Sequence, residues 1–364
     1  MRNGNPYIGS GRYIQTEDAA GLLGSEMKRY GTKRAFILGG KAALSVSIDD
    51  IEKGIRAENI DYAIEEFHGH CTLKKVAVLR EKAEKYSADM VVGVGGGKVL
   101  DTAKLLADDM KLRVITVPTS AATCAASAVL SVVYSDDGDV LYNAFYSHEI
   151  ASILVDTKIL ASRCPPRMLA SGVADALAKY PEIVFSMKYS TDWEKTVLPS
   201  AAVVLAKHNW DLLFQTGKEA LEDTQASRLT PRLEDIICTN IALTGIVSSL
   251  VSGGHQLGIA HFFHDAICKF FKAQQNKFLH GEIVSVGILL QMIVNGIDPL
   301  QVEMIRNFLV SIGTPVSLRD LDIEPVSGNI EKLYSYIRTT MNLEEPWMNQ
   351  RLRSGLEGML SLRH

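Results

Sequence analysis

Three of the chain's nine histidines fall in one short stretch, at His261, His264 and His280. His261 and His264 lie one turn apart on a run that reads as a helix, so they share a face. Far upstream, Asp175 sits in Ser171-Gly-Val-Ala-Asp-Ala-Leu-Ala178, a carboxylate in an apolar segment expected to be buried. A buried carboxylate needs a partner, and a metal is one way to supply it. Two imidazoles and a carboxylate are a common ligand set for Zn or Fe(II) that leaves positions open for substrate. The same residues would also serve as a capping aspartate and hydrogen-bonded histidines in a helical core. Spacing alone leaves both readings open.

A second group is Val94-Gly95-Gly96-Gly97-Lys98, which follows an apolar strand and opens a helix carrying Asp101 and Lys104. Residues without a Cβ let a ligand approach the backbone, and a helix N-terminus offers unpaired N–H groups and positive potential. Together they form an anion site suited to a pyrophosphate, with Lys98 adding charge. The motif is neither GxGxxG nor GxxxxGK[ST]. A tight strand–helix turn that binds nothing is the alternative.

The elements that must position these groups follow from periodicity. Buried strands are expected over 34–39, 89–94, 112–117 and 152–156, with a weaker one over 62–67. Helices are expected over 42–57, 73–86 and 99–109. Alternating helices and continuous apolar strands imply a parallel sheet covered on both faces. Residues 130–134 and 140–145 read as a hairpin with Asp137-Gly138 in the turn. Beyond Pro165-Pro166 the pattern is helical, as in 235–250, 258–272 and 282–295. The expectation is an α/β N-terminal domain with a parallel sheet, residues 1–162, and an all-α C-terminal domain, residues 163–364.

Composition narrows the function classes. The chain has 364 residues, 47% hydrophobic and 22% charged, as in packed globular proteins. A formal net charge of -4 argues against a nucleic-acid partner. No continuous apolar run approaches the ~20 residues of a membrane span, and the start of the sequence lacks a secretory apolar region. Cys71, Cys124, Cys164, Cys238 and Cys268 are scattered and odd in number, which reads as free thiols in the cytoplasm.

Six segments, taken in order, resemble one family. They are GVGGGKVLDTAK (93–104), VPTSAATCAASAVLSVVYSDDG (117–138), ILVDTKIL (153–160), SGVADALAKYPE (171–182), AHFFHDA (260–266) and LHGEIVSVG (279–287). The chain resembles the glycerol dehydrogenase branch of the iron-containing alcohol dehydrogenases, relatives of dehydroquinate synthase. The resemblance implies a dehydroquinate synthase-like fold with cofactor and metal in the cleft between domains. It implies one divalent metal on Asp175, His261 and His280. It implies NAD or NADP held by Gly95, Gly96, Gly97 and Lys98, with Asp101, Thr119, Leu130 and Tyr134 also at the cofactor.

The departures from that family set the finer expectations. Lys179 replaces the fourth ligand of the iron-type members, a histidine, which favours zinc over iron. Gly40, followed by Lys41, stands where the glycerol enzymes have a ribose-binding aspartate, which opens the site to NADP. Cys124 replaces a substrate-facing aspartate, and the wording AATCAAS resembles the hydroxycarboxylate dehydrogenases. Pro181 falls inside the helix after Asp175, where it removes a hydrogen bond. His264 is a candidate proton relay.

The expected activity is hydride transfer between NAD(P) and a small hydroxy acid or 2-oxo acid. Glycerol or another polyol is the alternative. A dehydroquinate synthase-type lyase or an inactive relative stand behind these. The expected partners are a small-molecule substrate and further copies of the chain in a homo-oligomer, with no nucleic acid and no membrane.

Overall fold

The computed structural model describes residues 10–146, 148–189, 197–251 and 257–358. Eight strands occur among them: β1 (Arg12–Thr16), β2 (Arg34–Gly39), β3 (Asp61–Glu66), β4 (Met90–Gly95), β5 (Arg113–Pro118), β6 (Leu130–Tyr134), β7 (Val140–Phe145) and β8 (Ser152–Asp156). Six form one parallel sheet in the order β1-β8-β5-β4-β2-β3. The central strands β2 and β4 are buried almost throughout, which is why they read as continuous apolar runs without alternation. Helices Lys41–Ala57 and Gly97–Met110 connect neighbouring strands, and Leu73–Tyr86 crosses from β3 over β2 to β4.

Strand order reverses between β2 and β4. The connection from β2 leads outward to β3, whereas β4 returns to the other side of β2. Such a switch leaves a crevice at the carboxyl ends of the two strands, where ligands of open α/β sheets bind. Gly40 follows β2 there, and the glycine loop follows β4.

The predicted hairpin is present as the antiparallel pair β6 and β7. Its turn closes through the Gly138 N–H on the Ser135 carbonyl at 3.0 Å. Beyond β8 the described residues form only helices and connecting segments. Pro166–Tyr189 packs against His280–Asn295 and Val197–Gln225, and Ile259–Phe270 packs against His280–Asn295. The apolar core runs without interruption from β2 and β4 into these helices.

Three features add to or revise the expectations. The edge strand β1 was not foreseen. The helix expected over 235–250 is Pro231–Cys238, a π-turn at Thr239–Leu243, then Thr244–Leu250. By length and composition, Pro231–Leu250 is apolar enough to cross a membrane, but 67% of its most apolar window is buried inside the fold. The helix Pro166–Tyr189 continues through Pro181, whose carbonyl accepts a hydrogen bond from Asn295 Nδ2 at 2.9 Å.

Candidate active site

A cavity of about 400 Å³ opens between the carboxyl edge of the sheet and the helices. One end is lined by Gly96, Gly97 and Lys98, the other by Asp175, His261 and His280. The loop and the ligand set, far apart in sequence, therefore share one space.

The loop end is made of backbone. Gly95 has φ +147, a conformation side chains rarely adopt. Gly96 is the N-cap of Gly97–Met110 and supplies no side-chain cap, which leaves the first amides of the helix available to a ligand. A Cβ on Gly96 would meet nothing closer than Ser120 Oγ at 3.6 Å, so its open face is toward the cavity. Positive charge gathers here. His70 lies 4.8 Å from the Tyr134 ring, and burial and then the charges of Lys98, Lys75 and Lys272 push it down to about 4.

The other proposed cofactor residues divide. Leu130 and Tyr134 line the cavity, with Val132 between them on β6. Asp101 also reaches its wall, but its carboxylate is engaged by Lys104 at 3.0 Å and by the Val132 N–H at 3.2 Å. Lys104 in turn donates to the carbonyls of Ala125, Ala128 and Leu130. This buried pair fastens the hairpin to the glycine-loop helix, which gives Asp101 a structural task. Thr119 lies outside the cavity lining, and its N–H ties the end of β5 to the Gly95 carbonyl at 3.1 Å. Gly40 is the N-cap of Lys41–Ala57, outside the cavity but beside Val99 of the glycine-loop helix. Lys41 is exposed.

The metal end is made of side chains from three helices. Gly281 lets two of them touch: a Cβ there would sit 1.8 Å from the Ser171 carbonyl oxygen. That crossing brings His280, at the start of His280–Asn295, beside Asp175. Asp175 Oδ1 is 3.2 Å from Nε2 of both His261 and His280. The three donor atoms lie within 4.8 Å of one another. Ligand atoms of a tetrahedral zinc at 2.0–2.2 Å stand roughly 3.3 Å apart, so a divalent metal fits this set. Burial would push the Asp175 carboxyl up. Its contacts with His261 and His280 and the nearby Lys179 charge outweigh that and hold it well below the usual carboxylate range.

Glu182 completes the arrangement and was missed in the sequence. It is fully buried, on the same helix as Asp175. Its Oε1 accepts the backbone N–H groups of Gly258 and His261 at 2.8 and 2.9 Å, which caps Ile259–Phe270. Its Oε2 accepts Nδ1–H of His261 at 2.7 Å, which turns Nε2 toward Asp175. A carboxylate behind a ligating imidazole fixes its tautomer and orientation. The signal available was a second acidic residue seven positions after Asp175, on the same helical face.

His264 and Cys124 complete the predicted list. His264 lies edge-on to the His280 ring, with centroids 4.2 Å apart. Its Nδ1 is 3.0 Å from Asp265 Oδ1 and its Nε2 is 3.5 Å from Cys268 Sγ. Both nitrogens have protein partners, so His264 is placed to support His280 more directly than to relay a proton. Cys124 lines the cavity, and burial together with the Asp175 charge pushes its thiol up to about 11.

Known proteins carry the same plan. Residues 10–156 match the family described as iron-containing alcohol dehydrogenase. A glycerol dehydrogenase of Escherichia coli O6:H1 is 32% identical over 86% of this chain and 84% of its own. The chain belongs to the iron-containing alcohol dehydrogenases, in their glycerol dehydrogenase branch. Hydroxycarboxylate dehydrogenase A of Escherichia coli K12 is 33% identical over 71% of this chain and 69% of its own. The crystal structure of a probable glycerol dehydrogenase from Sinorhizobium meliloti 1021 superposes with a TM-score of 0.83 at 25% identity, covering 97% of this chain and 98% of that one. This iron-containing alcohol dehydrogenase therefore shares its relatives' architecture over nearly its whole length.

Proposed function

We propose that this chain is a metal-dependent, NAD(P)-linked dehydrogenase that oxidises a CH–OH group of a small polyol, or reduces the corresponding carbonyl. One observation carries the reading: the glycine loop and the Asp175–His261–His280 cradle face each other across a single cavity. In it, the amides at Gly96 and Gly97, with Lys98, would hold the cofactor pyrophosphate. Leu130, Val132 and Tyr134 give the adjoining wall an apolar surface that excludes water. Asp175, His261 and His280 would hold a divalent metal, which supplies a Lewis acid for the substrate oxygen. Glu182 keeps His261 in the ligating tautomer. Three donors with a lysine in place of a fourth histidine favour zinc. The absence of a carboxylate at Gly40-Lys41 favours tolerance of NADP.

The relatives' names move the weight from the 2-oxo acid expected at Cys124 to a polyol, since four glycerol dehydrogenases match at 30–32% identity over most of the chain. A hydroxy acid remains the second reading because Cys124 presents a neutral thiol, which neither repels a substrate carboxylate nor accepts polyol hydroxyls well. The test is a substrate panel of polyols and 2-oxo acids with NAD(H) and NADP(H), with and without zinc. Zinc-dependent oxidation of glycerol or a related diol, with higher kcat/KM than any 2-oxo acid reduction, is expected. The reverse order selects the second reading, and full activity after chelation overturns the metal-dependent mechanism.

A further inference from the structure

A polyol substrate calls for a hydrogen-bond acceptor beside its reacting carbon, and the Cys124 thiol is a poor one. Ser248, on the helix Thr244–Leu250, lines the cavity together with Cys124 and Asp175 and is 7% exposed. Its hydroxyl stands beside the Cys124 sulfur, which in turn feels the Asp175 charge. The pair therefore lies at the metal end of the cavity.

The neighbouring hydroxyls are engaged within the fold. On the same helix, Thr244 donates to the Thr239 carbonyl at 2.7 Å and Ser249 to the Gly245 carbonyl at 2.9 Å. Ser171 and Thr123 also line the cavity, and they accept the backbone N–H groups of Gly281 and Ala125 at 3.1 and 3.3 Å. Ser120 stands at the loop end, beside Gly96. A helical serine can satisfy itself on the carbonyl four residues back, as Ser249 does. Ser248 does not. Among the described residues its hydroxyl has no partner but the thiol, a weak donor and weak acceptor. A nearly buried hydroxyl with so poor a partner carries a cost that a ligand relieves.

Ser248 is also held in place. Gly245, one turn earlier, is pressed onto Ser127, where a Cβ would sit 1.9 Å from Ser127 Oγ. Ser127 Oγ lies 3.2 Å from the Cys124 carbonyl. The helix that carries Ser248 is thus packed against the segment that carries Cys124, which presets the hydroxyl before substrate arrives.

We propose that Ser248 is a specificity residue that hydrogen-bonds the hydroxyl next to the substrate's reacting carbon, the task for which Cys124 is unsuited. This rests on the polyol reading of the cavity. With the reacting oxygen at Asp175, His261 and His280, the neighbouring hydroxyl donates to Ser248 Oγ or accepts from it. An alcohol without that hydroxyl leaves Ser248 unpaired in a site emptied of water, so it is rejected by more than one lost contact.

The test compares kcat/KM for 1,2-propanediol and 1-propanol, with NAD and zinc, in the unaltered protein and in Ser248→Ala. The preference for the diol is expected to fall about tenfold or more in Ser248→Ala. An unchanged ratio, whether or not both rates drop, would overturn the proposal. A crystal structure of the unaltered protein with NAD and 1,2-propanediol needs no variant to fold. One diol oxygen is expected within hydrogen-bond distance of Ser248 Oγ, and a diol with both oxygens away from Ser248 would overturn the proposal. The two readings fail differently. If the unaltered protein oxidises no polyol, the reading of the cavity fails and this proposal with it. If it oxidises polyols and the ratio does not move, only the role of Ser248 falls.

Discussion

The two ends of the cavity are built on opposite principles. The cofactor end presents backbone amides from one continuous segment, β4 and the start of Gly97–Met110. The metal end presents side chains from three helices, and both histidines are placed by other residues: His261 by Glu182, His280 by the crossing at Gly281 and Ser171. A backbone site is sensitive to added bulk and indifferent to most loss of side-chain chemistry. A side-chain site is sensitive to chemistry at residues that never touch the ligand.

The largest expected effect is at the metal end. His261→Ala should lose bound zinc by elemental analysis and lower kcat/KM at least 1,000-fold, about 4 kcal/mol, because the cradle is left with two of its three donors. Retained metal and rate would remove the distinction between the two ends. Next, Glu182→Gln preserves shape but presents the wrong polarity to either His261 Nδ1–H or the capped amides. Zinc affinity should fall about 10–100-fold, read on metal-free protein by chelator competition. An unchanged affinity would mean that His261 is oriented by packing alone.

At the backbone end, Gly96→Val should weaken NAD(P)H binding about tenfold, or ~1.4 kcal/mol, as followed by cofactor fluorescence. Since a Cβ at Gly96 has room within the protein, the melting temperature should hardly move. A lost fold with normal affinity per folded molecule would make the loop structural. The last effect concerns Cys124. Its folded pKa is raised to about 11, so the thiol stays neutral until pH approaches that value. Alkylation of Cys124 by iodoacetamide at pH 8 should therefore be about 100-fold slower than that of an ordinary thiol with pKa ~8.5, and its rate should still climb about tenfold per pH unit up to pH 9, where the ordinary thiol levels off. A rate that levels off below pH 9 would place a cation beside the sulfur.

The same contrast explains what could be read from the sequence. The cofactor end is local, so a buried strand, three glycines and a helix start were visible in one stretch, and the loop's position at a sheet switch point agreed. Asp175, His261 and His280 are visible as residue types, but only resemblance joined them, since nothing local says that Gly281 lets two helices touch. Glu182 was hidden because a lone acidic residue in a long helix reads as an ordinary surface charge unless its face is known to be buried. Asp101 shows the opposite case. It follows the glycine loop as a ligand-binding residue would, yet it and Lys104 are consumed in holding β6. β1 escaped notice because Arg-Tyr-Ile-Gln-Thr is short, mixed in polarity and only partly buried at the sheet edge.

The π-turn at Thr239–Leu243 has a mechanical consequence. Its extra residue turns Asn240 Nδ2 onto the Ala121 carbonyl at 3.1 Å and leaves the Ile241 carbonyl to accept from Ser127 Oγ. Nearby, Gly172 and Gly245 admit Ala121 and Ser127 with no room for a methyl group. The segment carrying Cys124 is thus riveted at both ends to the helical half. These bonds fasten the segment on either side of Cys124, at Ala121 and at Ser127. Cys124 is thereby held in register with the helix that carries Asp175, so the distance between this thiol and the cradle is set by packing and not by the loop's own conformation.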